Sequence, residues 1–325
     1  MAYLVTGGMG YVGSRIVRDL VNAGEEVVCF DLAGVTALGQ EVVGEKNLDR
    51  VKVIPGDVSD TIQVFNVIRE HSIDYIIHVG YLMGTRREQG PVAALRVNCI
   101  GNANMLEAAR LFGVKKVVWT SSAAVFGQIM NFYKEPAGDD DVIYMPDSMY
   151  AGTKALNEVM TRVYFKNFGV DSIGLRIQRV FGVPSIQYGV VGLFSEFLRK
   201  AALNIPVTIK EPDFTINYIH VDDVADAHIK ACAVPTTKTR VFNLCEGEHT
   251  NQQLVETIRK INPEAQLSLE EGISNLTRPE GDHHGPTMNP TGIRTELGWQ
   301  PKYSFEEGLR ISCNYFRQQA GMPLL

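Results

Sequence analysis

The chain has 325 residues, of which 45% are hydrophobic and 21% are charged, a balance typical of a folded globular protein and not of a disordered or fibrous chain. Its length corresponds to about two domains, or to one large one. With 31 Lys and Arg residues against 37 Asp and Glu residues the formal net charge is −6, so no basic domain indicates a nucleic-acid partner.

The cysteines and the apolar runs indicate a reducing, aqueous compartment. Five cysteines are scattered without the spacing of a disulfide framework or a zinc site. No run of about eighteen apolar residues predicts a membrane span, and the N-terminus lacks the order of a signal peptide. The pair His283 and His284 is interpreted as part of a loop, because no cysteine or carboxylate is spaced to complete a metal site. We therefore expect a cytoplasmic protein with no metal, no membrane partner and no nucleic-acid partner.

The first half of the chain alternates short apolar runs with helical patterns. The runs predicted to be strands are Ala2–Thr6, Glu26–Asp31, Val51–Ile54, Tyr75–Val79, Val117–Thr120 and Ser172–Ile177. The patterns predicted to be helices are Tyr11–Ala23, Asp60–His71, Ala93–Phe112 and Tyr150–Phe168. Continuous apolar runs are typical of strands buried on both faces of a parallel sheet. The predicted fold class is therefore α/β, a Rossmann-type doubly wound parallel sheet with right-handed crossovers.

The second half is less regular, since five prolines divide it into short pieces. They are Pro184, Pro206, Pro212, Pro235 and Pro263. Its last helix is predicted over Ser304–Arg317. We assign residues 1–180, with about 215–245, to the Rossmann domain, and residues 181–214 and 246–325 to a smaller substrate-binding region.

A glycine-rich turn directly follows the first predicted strand. The run Thr6-Gly-Gly-Met-Gly-Tyr-Val-Gly13 places Gly7, Gly10 and Gly13 three residues apart, where the next helix starts. Glycines permit a tight turn and a close approach of the backbone to a pyrophosphate, and a helix N-terminus offers N–H groups to the anion. This turn, with Tyr11 and Val12, is predicted to bind a dinucleotide.

Asp31 ends the second predicted strand and indicates which dinucleotide binds. It follows Gly10 by 21 residues, close to the ~20 expected for the acid on the adenosine ribose. Its carboxylate would repel the additional phosphate of NADP, and no Arg or Lys follows closely, since Leu32 comes next. The predicted cofactor is NAD, which makes residues 1–180 the NAD-binding domain.

Tyr150 and Lys154 begin a helical pattern four residues apart, so the phenol and the ammonium share one helix face. A free phenol has a pKa of about 10, and a neighbouring cation lowers that value. The pair is interpreted as a general base that takes the proton of a substrate alcohol while hydride leaves the carbon. Ser122, at the end of a preceding strand, is placed to hold the substrate oxygen, with Ser121 as the alternative in register.

Together these motifs resemble the extended short-chain dehydrogenases/reductases, the family of NAD-dependent sugar epimerases and dehydratases. The resemblance runs from Thr6 to about Arg317. Further motifs that carry it are Gly56-Asp57-Val58, His78-Val79-Gly80, Asn98, Tyr218-Ile-His-Val-Asp-Asp-Val-Ala225, Phe242-Asn-Leu244 and Arg278-Pro-Glu-Gly-Asp282. The resemblance implies Ser122, Tyr150 and Lys154 as the catalytic set, and it implies a homodimer.

The resemblance also implies further cofactor contacts. Asp57 and Val58 are expected at the adenine, and Asn98 is expected near the active site. The strand end at Val79 and Gly80 is expected to line the cofactor. His78 is interpreted as a strand-end residue and not as an acid–base catalyst.

The substrate is less well indicated. Nucleotide-sugar epimerases of this family grip a diphosphate with cationic side chains, because doubly anionic groups favour fixed cationic forks. Here Ile216 holds the place of one such arginine, the run Tyr81-Leu-Met-Gly84 lacks the expected lysine, and Arg179 replaces an asparagine. Arg278 does match, and Arg179, Arg86 or Arg87 could compensate for the missing contacts. The predicted substrate-binding residues are Leu82, Met83, Ser122, Ala123, Tyr150, Arg179 and Arg278.

Three functions remain open from the sequence. The first is an NAD-dependent oxidoreductase that exchanges hydride with a secondary alcohol or ketone of a small polar substrate, such as a polyol, a sugar or a hydroxy acid. The second is a nucleotide-sugar epimerase or dehydratase that returns the hydride within one cycle. The third is a non-catalytic NAD-binding protein, which the intact acid–base set argues against.

Overall fold

The computed structural model describes residues 1–83, 90–127, 136–141, 148–186, 189–273, 275–276 and 287–325. Its strands are β1 Ala2–Thr6, β2 Glu26–Asp31, β3 Val51–Pro55, β4 Tyr75–His78, β5 Lys116–Ser122, β6 Ser172–Ile177, β7 Arg179–Phe181, β8 Val207–Lys210, β9 Thr215–His220, β10 Val241–Asn243, β11 Gly247–Thr250 and β12 Leu267–Glu270. Its α-helices are α1 Gly13–Asn22, α2 Ala37–Val43, α3 Glu45–Leu48, α4 Thr61–Glu70, α5 Pro91–Ala94, α6 Gly101–Phe112, α7 Met149–Phe168, α8 Gly189–Ala202, α9 Val221–Ala233, α10 Asn251–Ile261, α11 Thr291–Glu296 and α12 Phe305–Gln319.

A parallel sheet forms the centre of the fold. Its described strands follow the order β10-β6-β5-β4-β1-β2-β3, and every neighbouring pair is parallel. Alternate side chains of each strand point to opposite faces, so Tyr3 and Val5 pack with α1 and α9, while Leu4 packs with α4 and α6. The predicted doubly wound α/β class is confirmed.

The second half adds smaller sheets and a separate apolar core. Strand β9 pairs in parallel with β7 and antiparallel with β11, and β8 pairs in parallel with β12. Two apolar cores cover the two faces of the large sheet. Side chains of α8, α10 and α12 form a third core with the smaller sheets, and Phe181, Phe194 and Tyr218 lie within it. Strand β10 returns to the large sheet beside β6.

Local chemistry explains where the helices of the site begin. Ser148 caps α7, because its hydroxyl accepts a hydrogen bond from the Ala151 N–H at 3.2 Å. The predicted helix over 93–112 is a helical stretch from Pro91 that contains a π-helical segment, Leu95–Ile100, ahead of α6. None of the helices in the described ranges combines the length and the apolar composition that crossing a bilayer requires.

Candidate active site

The glycine-rich turn brings β1, α1 and the end of β4 into close contact. Gly7 has a φ of +66°, and a Cβ there would lie 2.7 Å from the Gly80 Cα. A Cβ on Gly13 would lie 2.1 Å from the Gly7 carbonyl oxygen. Only glycine fits these two positions, and the turn leaves a backbone cradle at the N-terminus of α1.

Asp31 stands at the carboxyl end of β2, beside this cradle. Its Oδ2 accepts a hydrogen bond from the Met9 N–H at 3.1 Å, and its Oδ1 accepts one from the Ala33 N–H at 3.0 Å. These two bonds fix the carboxylate, and each oxygen retains a lone pair for a further donor. The arrangement suits the hydroxyls of a ribose.

A cavity of about 400 Å³ opens at the carboxyl ends of the central strands, where ligands bind in open α/β sheets. Sixteen of the predicted site residues line it. They are Gly7, Gly10, Tyr11, Val12, Gly13, Asp31, Leu32, Asp57, Val58, Val79, Gly80, Leu82, Met83, Ser122, Tyr150 and Lys154. The glycine cradle, the helix N-terminus and the carboxylate of Asp31 fit a bound dinucleotide.

Three predicted site residues are not among the described residues that line the cavity. Asn98 is buried, and its side-chain amide makes two hydrogen bonds to the backbone of Leu82. It accepts from the Leu82 N–H at 2.8 Å and donates to the Leu82 carbonyl at 2.9 Å. Arg179 is buried and donates to the Leu276 carbonyl at 2.8 Å. Ala123 is buried at the start of the 3₁₀-helix Ala123–Phe126.

Several residues named from the sequence cannot be placed. Arg278 lies outside the described residues, and so do Arg86, Arg87, His283 and His284. Among the described lining residues Lys154 is the one cation, while Asp31 and Asp57 are the carboxylates. The described ranges contain no group of three or more His, Cys, Asp or Glu side chains gathered as metal ligands.

The three predicted catalytic residues face the same cavity. Tyr150 and Lys154 come from the first turns of α7, and the Lys154 Nζ lies 5.6 Å from the centroid of the Tyr150 ring. Ser122 ends β5, and its Oγ accepts from the Ala124 N–H at 3.2 Å. The alternative, Ser121, is buried and donates to a Glu158 oxygen at 2.7 Å. Of the two serines, Ser122 is the one that lines the cavity.

Lys154 lies at the buried end of the cavity, with 1% of its surface exposed. Its Nζ donates to the Thr120 carbonyl at 2.6 Å and lies 2.9 Å from the centroid of the Tyr81 ring. No carboxylate of the described chain forms an ion pair with it, and burial lowers the pKa of Lys154 well below its usual value.

Thr120 is itself held by a buried histidine. The His228 Nδ1 lies 2.7 Å from the Val224 carbonyl, which can only accept, so Nδ1 carries the hydrogen. Burial lowers the pKa of His228 to about 4, and the neutral ring therefore accepts from the Thr120 hydroxyl through Nε2 at 2.8 Å. This chain of contacts fixes the strand end that carries the Lys154 acceptor.

Some lining residues had no predicted cofactor or substrate contact, although Gly56 belongs to a motif that carries the family resemblance. They are Phe30, Gly56, Tyr81, Val97, Thr120, Ile177, Gln178, Val180, Ile186 and Val191. Thr120, Ile177 and Gln178 stand at or just after strand ends, so the rule that ligands meet the carboxyl ends of parallel strands could have found them. Ile186 and Val191 come from the loop before α8 and from α8 itself, and no local signal marks them.

Comparison with known proteins gives a consistent family. The model of the NAD dependent epimerase/dehydratase family matches residues 3–245. A UDP-glucose 4-epimerase of Mycolicibacterium smegmatis is 28% identical over 98% of this chain and 100% of its own length. The structure of the Thermotoga maritima UDP-glucose 4-epimerase with UDP-glucose has a TM-score of 0.84 at 25% identity, covering 98% of this chain and 100% of that one. That of the Thermus thermophilus enzyme with NAD has a TM-score of 0.78 at 29% identity, covering 98% and 99%.

Proposed function

The chain belongs to the NAD dependent epimerase/dehydratase family, with NAD as cofactor, and on this premise we propose that it oxidises a secondary alcohol with Tyr150 as the general base. One observation carries the proposal. Tyr150, Lys154 and Ser122 line the same cavity as the glycine cradle and Asp31, so an acid–base group and a dinucleotide site share one space. The substrate proposed is a small polar molecule, such as a polyol, a sugar or a hydroxy acid.

Tyr150, Ser122 and Lys154 each have one role in the proposed reaction. The glycine cradle and Asp31 would hold NAD, which would supply the acceptor for the hydride of the alcohol carbon. The Tyr150 phenolic oxygen takes the hydroxyl proton, and the Ser122 hydroxyl donates a hydrogen bond to the substrate oxygen. The Lys154 ammonium adds a positive charge that favours the phenolate form of Tyr150. In the reverse direction Tyr150 returns the proton to a carbonyl oxygen.

The walls of the cavity support a substrate of low charge. Leu82, Met83 and Val191 line it, and Lys154 is the one cation among its described lining residues. Ile216, at the place of an expected diphosphate arginine, is buried in the third core. We therefore propose net exchange of hydride with a substrate that carries no diphosphate.

A second candidate is a nucleotide-sugar epimerase that returns the hydride within one cycle. The observation that favours it is the match to UDP-glucose 4-epimerases over nearly the whole chain. Such an enzyme would need cationic side chains for a diphosphate, and the sequence offers Arg278, with Arg86 or Arg87 as further candidates.

The cofactor content of the purified, desalted protein separates the two candidates. Denatured protein would be assayed for released NAD and NADH per chain. Net exchange predicts an empty site that binds added NAD reversibly and forms NADH with a secondary alcohol. Near-stoichiometric NAD that does not exchange, with turnover of UDP-galactose and no accumulation of NADH, would replace the first proposal by the second. No NAD binding at all would contradict both.

We also propose that the protein is a homodimer, through a face built by the helical stretch 91–112 and by α7. Exposed apolar side chains on it are Val92, Leu95, Ile100, Leu156, Val159 and Val163. Exposed apolar side chains gathered on helices that contact one another are typical of a protein interface.

Sedimentation of two matched variants tests the homodimer. Val159→Arg places a charge in the proposed interface and is expected to give monomers. Ile273→Arg changes an equally apolar, more exposed residue in the second half and is expected to leave the dimer intact. A monomeric wild type, or a dimeric Val159→Arg protein, would contradict the proposed interface.

A further inference from the structure

Tyr81 makes an unusual contact with the one lining cation of the described cavity. Its ring centroid lies 2.9 Å from the Lys154 Nζ, and the ring itself is part of the cavity wall. That ammonium also donates a hydrogen bond to the Thr120 carbonyl at 2.6 Å, while the Tyr150 and Trp119 rings lie farther away, at 5.6 and 6.0 Å. Tyr81 was not among the residues that the sequence motifs indicated.

A buried ammonium needs compensation for the water that it loses. The nearest acid on α7, Glu158, is bound by the Arg176 guanidinium through both of its oxygens, at 2.8 Å each. The face of an aromatic ring carries negative potential and attracts a cation most strongly where water is excluded. The charge of Glu158 still favours the ammonium from a distance, and the Tyr81 ring adds compensation in direct contact with it.

The Tyr81 ring is held in this orientation from two sides. Its hydroxyl donates to the Asn102 Oδ1 at 3.1 Å, so the hydroxyl is engaged at α6 and the ring face is what meets Lys154. Its ring also packs on His78, with centroids 4.3 Å apart. Burial, followed by the charge of Lys154, lowers the pKa of His78 to about 3, so the imidazole adds no second positive charge.

We propose that Tyr81 is a positioning residue, whose ring face fixes the Lys154 ammonium at the buried end of the cavity and favours its charged form. The proposal rests on the proposed function for the role of Lys154, and it adds a residue on which that role depends. The hydroxyl of Tyr81 serves to orient the ring and takes no part in the chemistry.

Direct titration of Lys154 tests this proposal without any substrate or cofactor. The protein would be labelled with ¹³C at the lysine Cε, the Lys154 signal identified by its loss in Lys154→Arg, and its chemical shift followed with pH. Tyr81→Phe keeps the ring and should titrate like the wild type. Tyr81→Leu and Tyr81→Met remove the ring and should lower the midpoint by about one pH unit.

A matched control comes from a second tyrosine and lysine in contact. The Lys115 Nζ lies 5.7 Å from the Tyr75 ring centroid, and Lys115 is more than half exposed. Tyr75→Leu should leave the Lys154 midpoint unchanged. A wild-type midpoint in a folded Tyr81→Leu or Tyr81→Met protein would overturn the proposal, and so would a shift in Tyr81→Phe as large as in Tyr81→Leu. If the Tyr81→Leu midpoint shifts but the wild-type protein oxidises no secondary alcohol, the proposed function is refuted and the positioning role of Tyr81 stands.

Discussion

Two buried cations, Lys154 on α7 and Arg176 on β6, are stabilised in different ways. The Arg176 guanidinium donates two hydrogen bonds to the Glu158 carboxylate, and neither side chain is exposed. Ser121 donates a further hydrogen bond to Glu158, and Asn243 accepts one from Arg176. Lys154 has a carbonyl and an aromatic ring and, within the described chain, no carboxylate. On the proposed function, the contact between Arg176 and Glu158 serves stability, whereas the contacts of Lys154 serve to hold a positive charge beside the cavity.

We infer from this comparison that Lys154 serves chemistry, whereas Arg176 serves folding. A carboxylate beside Lys154 would neutralise the charge that is meant to act on Tyr150. Carbonyl and ring contacts hold the ammonium without cancelling its charge. Changes around Lys154 should therefore affect chemistry more than folding, and changes around Arg176 should do the reverse.

The largest expected effect is on turnover in Tyr150→Phe. The variant keeps the ring and removes the oxygen that moves the proton, so turnover should fall by ~10² to 10⁴. The rate would be measured with a substrate found by screening secondary alcohols and nucleotide sugars. Calorimetry should show that NAD still binds as in the wild type. Turnover close to that of the wild type would remove Tyr150 from the mechanism.

The next effect is on stability in Glu158→Gln. The change leaves the Arg176 guanidinium buried without its counter-charge and should lower the free energy of unfolding by about 3–5 kcal/mol. Denaturant unfolding measures it. Arg110→Met, which breaks the partly exposed contact between Arg110 and Glu107, is the matched control and should have a much smaller effect. An equal loss in both variants would show that burial of the pair is unimportant.

A smaller effect is expected on cofactor affinity in Asp31→Asn. Removing the charge weakens the bonds to the ribose hydroxyls and relieves repulsion of NADP. Affinity for NAD should fall about tenfold, and the preference for NAD over NADP should fall with it. Calorimetry with both cofactors checks this. Asp49→Asn, an exposed acid outside the cavity, should bind NAD normally.

The smallest effect is the pH dependence that Lys154 adds to stability. Burial lowers the pKa of Lys154 in the folded chain, so between that value and about 10.4 the unfolded chain binds more protons. The stability of the wild type should therefore rise with pH across this window, relative to Lys154→Met. Thermal unfolding of both proteins at a series of pH values measures the difference. A difference that stays constant with pH would show that Lys154 titrates alike in both states.

The sequence predicted the parts of the site that are local. The glycine turn and Asp31 belong to one strand–turn–helix–strand unit, and Tyr150 and Lys154 to one helix turn, so short spacings were enough. Tyr81 lies on Lys154 only because the segment after β4 meets the first turns of α7, and Arg179 donates to Leu276 instead of lining the cavity. Such contacts join residues far apart in the chain, and no spacing rule reports them.

Denaturant unfolding of Lys154→Met beside Arg176→Met tests most directly whether Lys154 serves chemistry and Arg176 serves folding. Both changes replace a fully buried cation by the same apolar side chain. We expect Arg176→Met to lose about 3–5 kcal/mol of unfolding free energy, because the buried Glu158 carboxylate loses the guanidinium that binds both of its oxygens. Lys154→Met should stay within about 1 kcal/mol of the wild type or exceed it, since no buried carboxylate loses a partner. An equal loss in the two variants would contradict the claim that Lys154 is kept for chemistry rather than for folding.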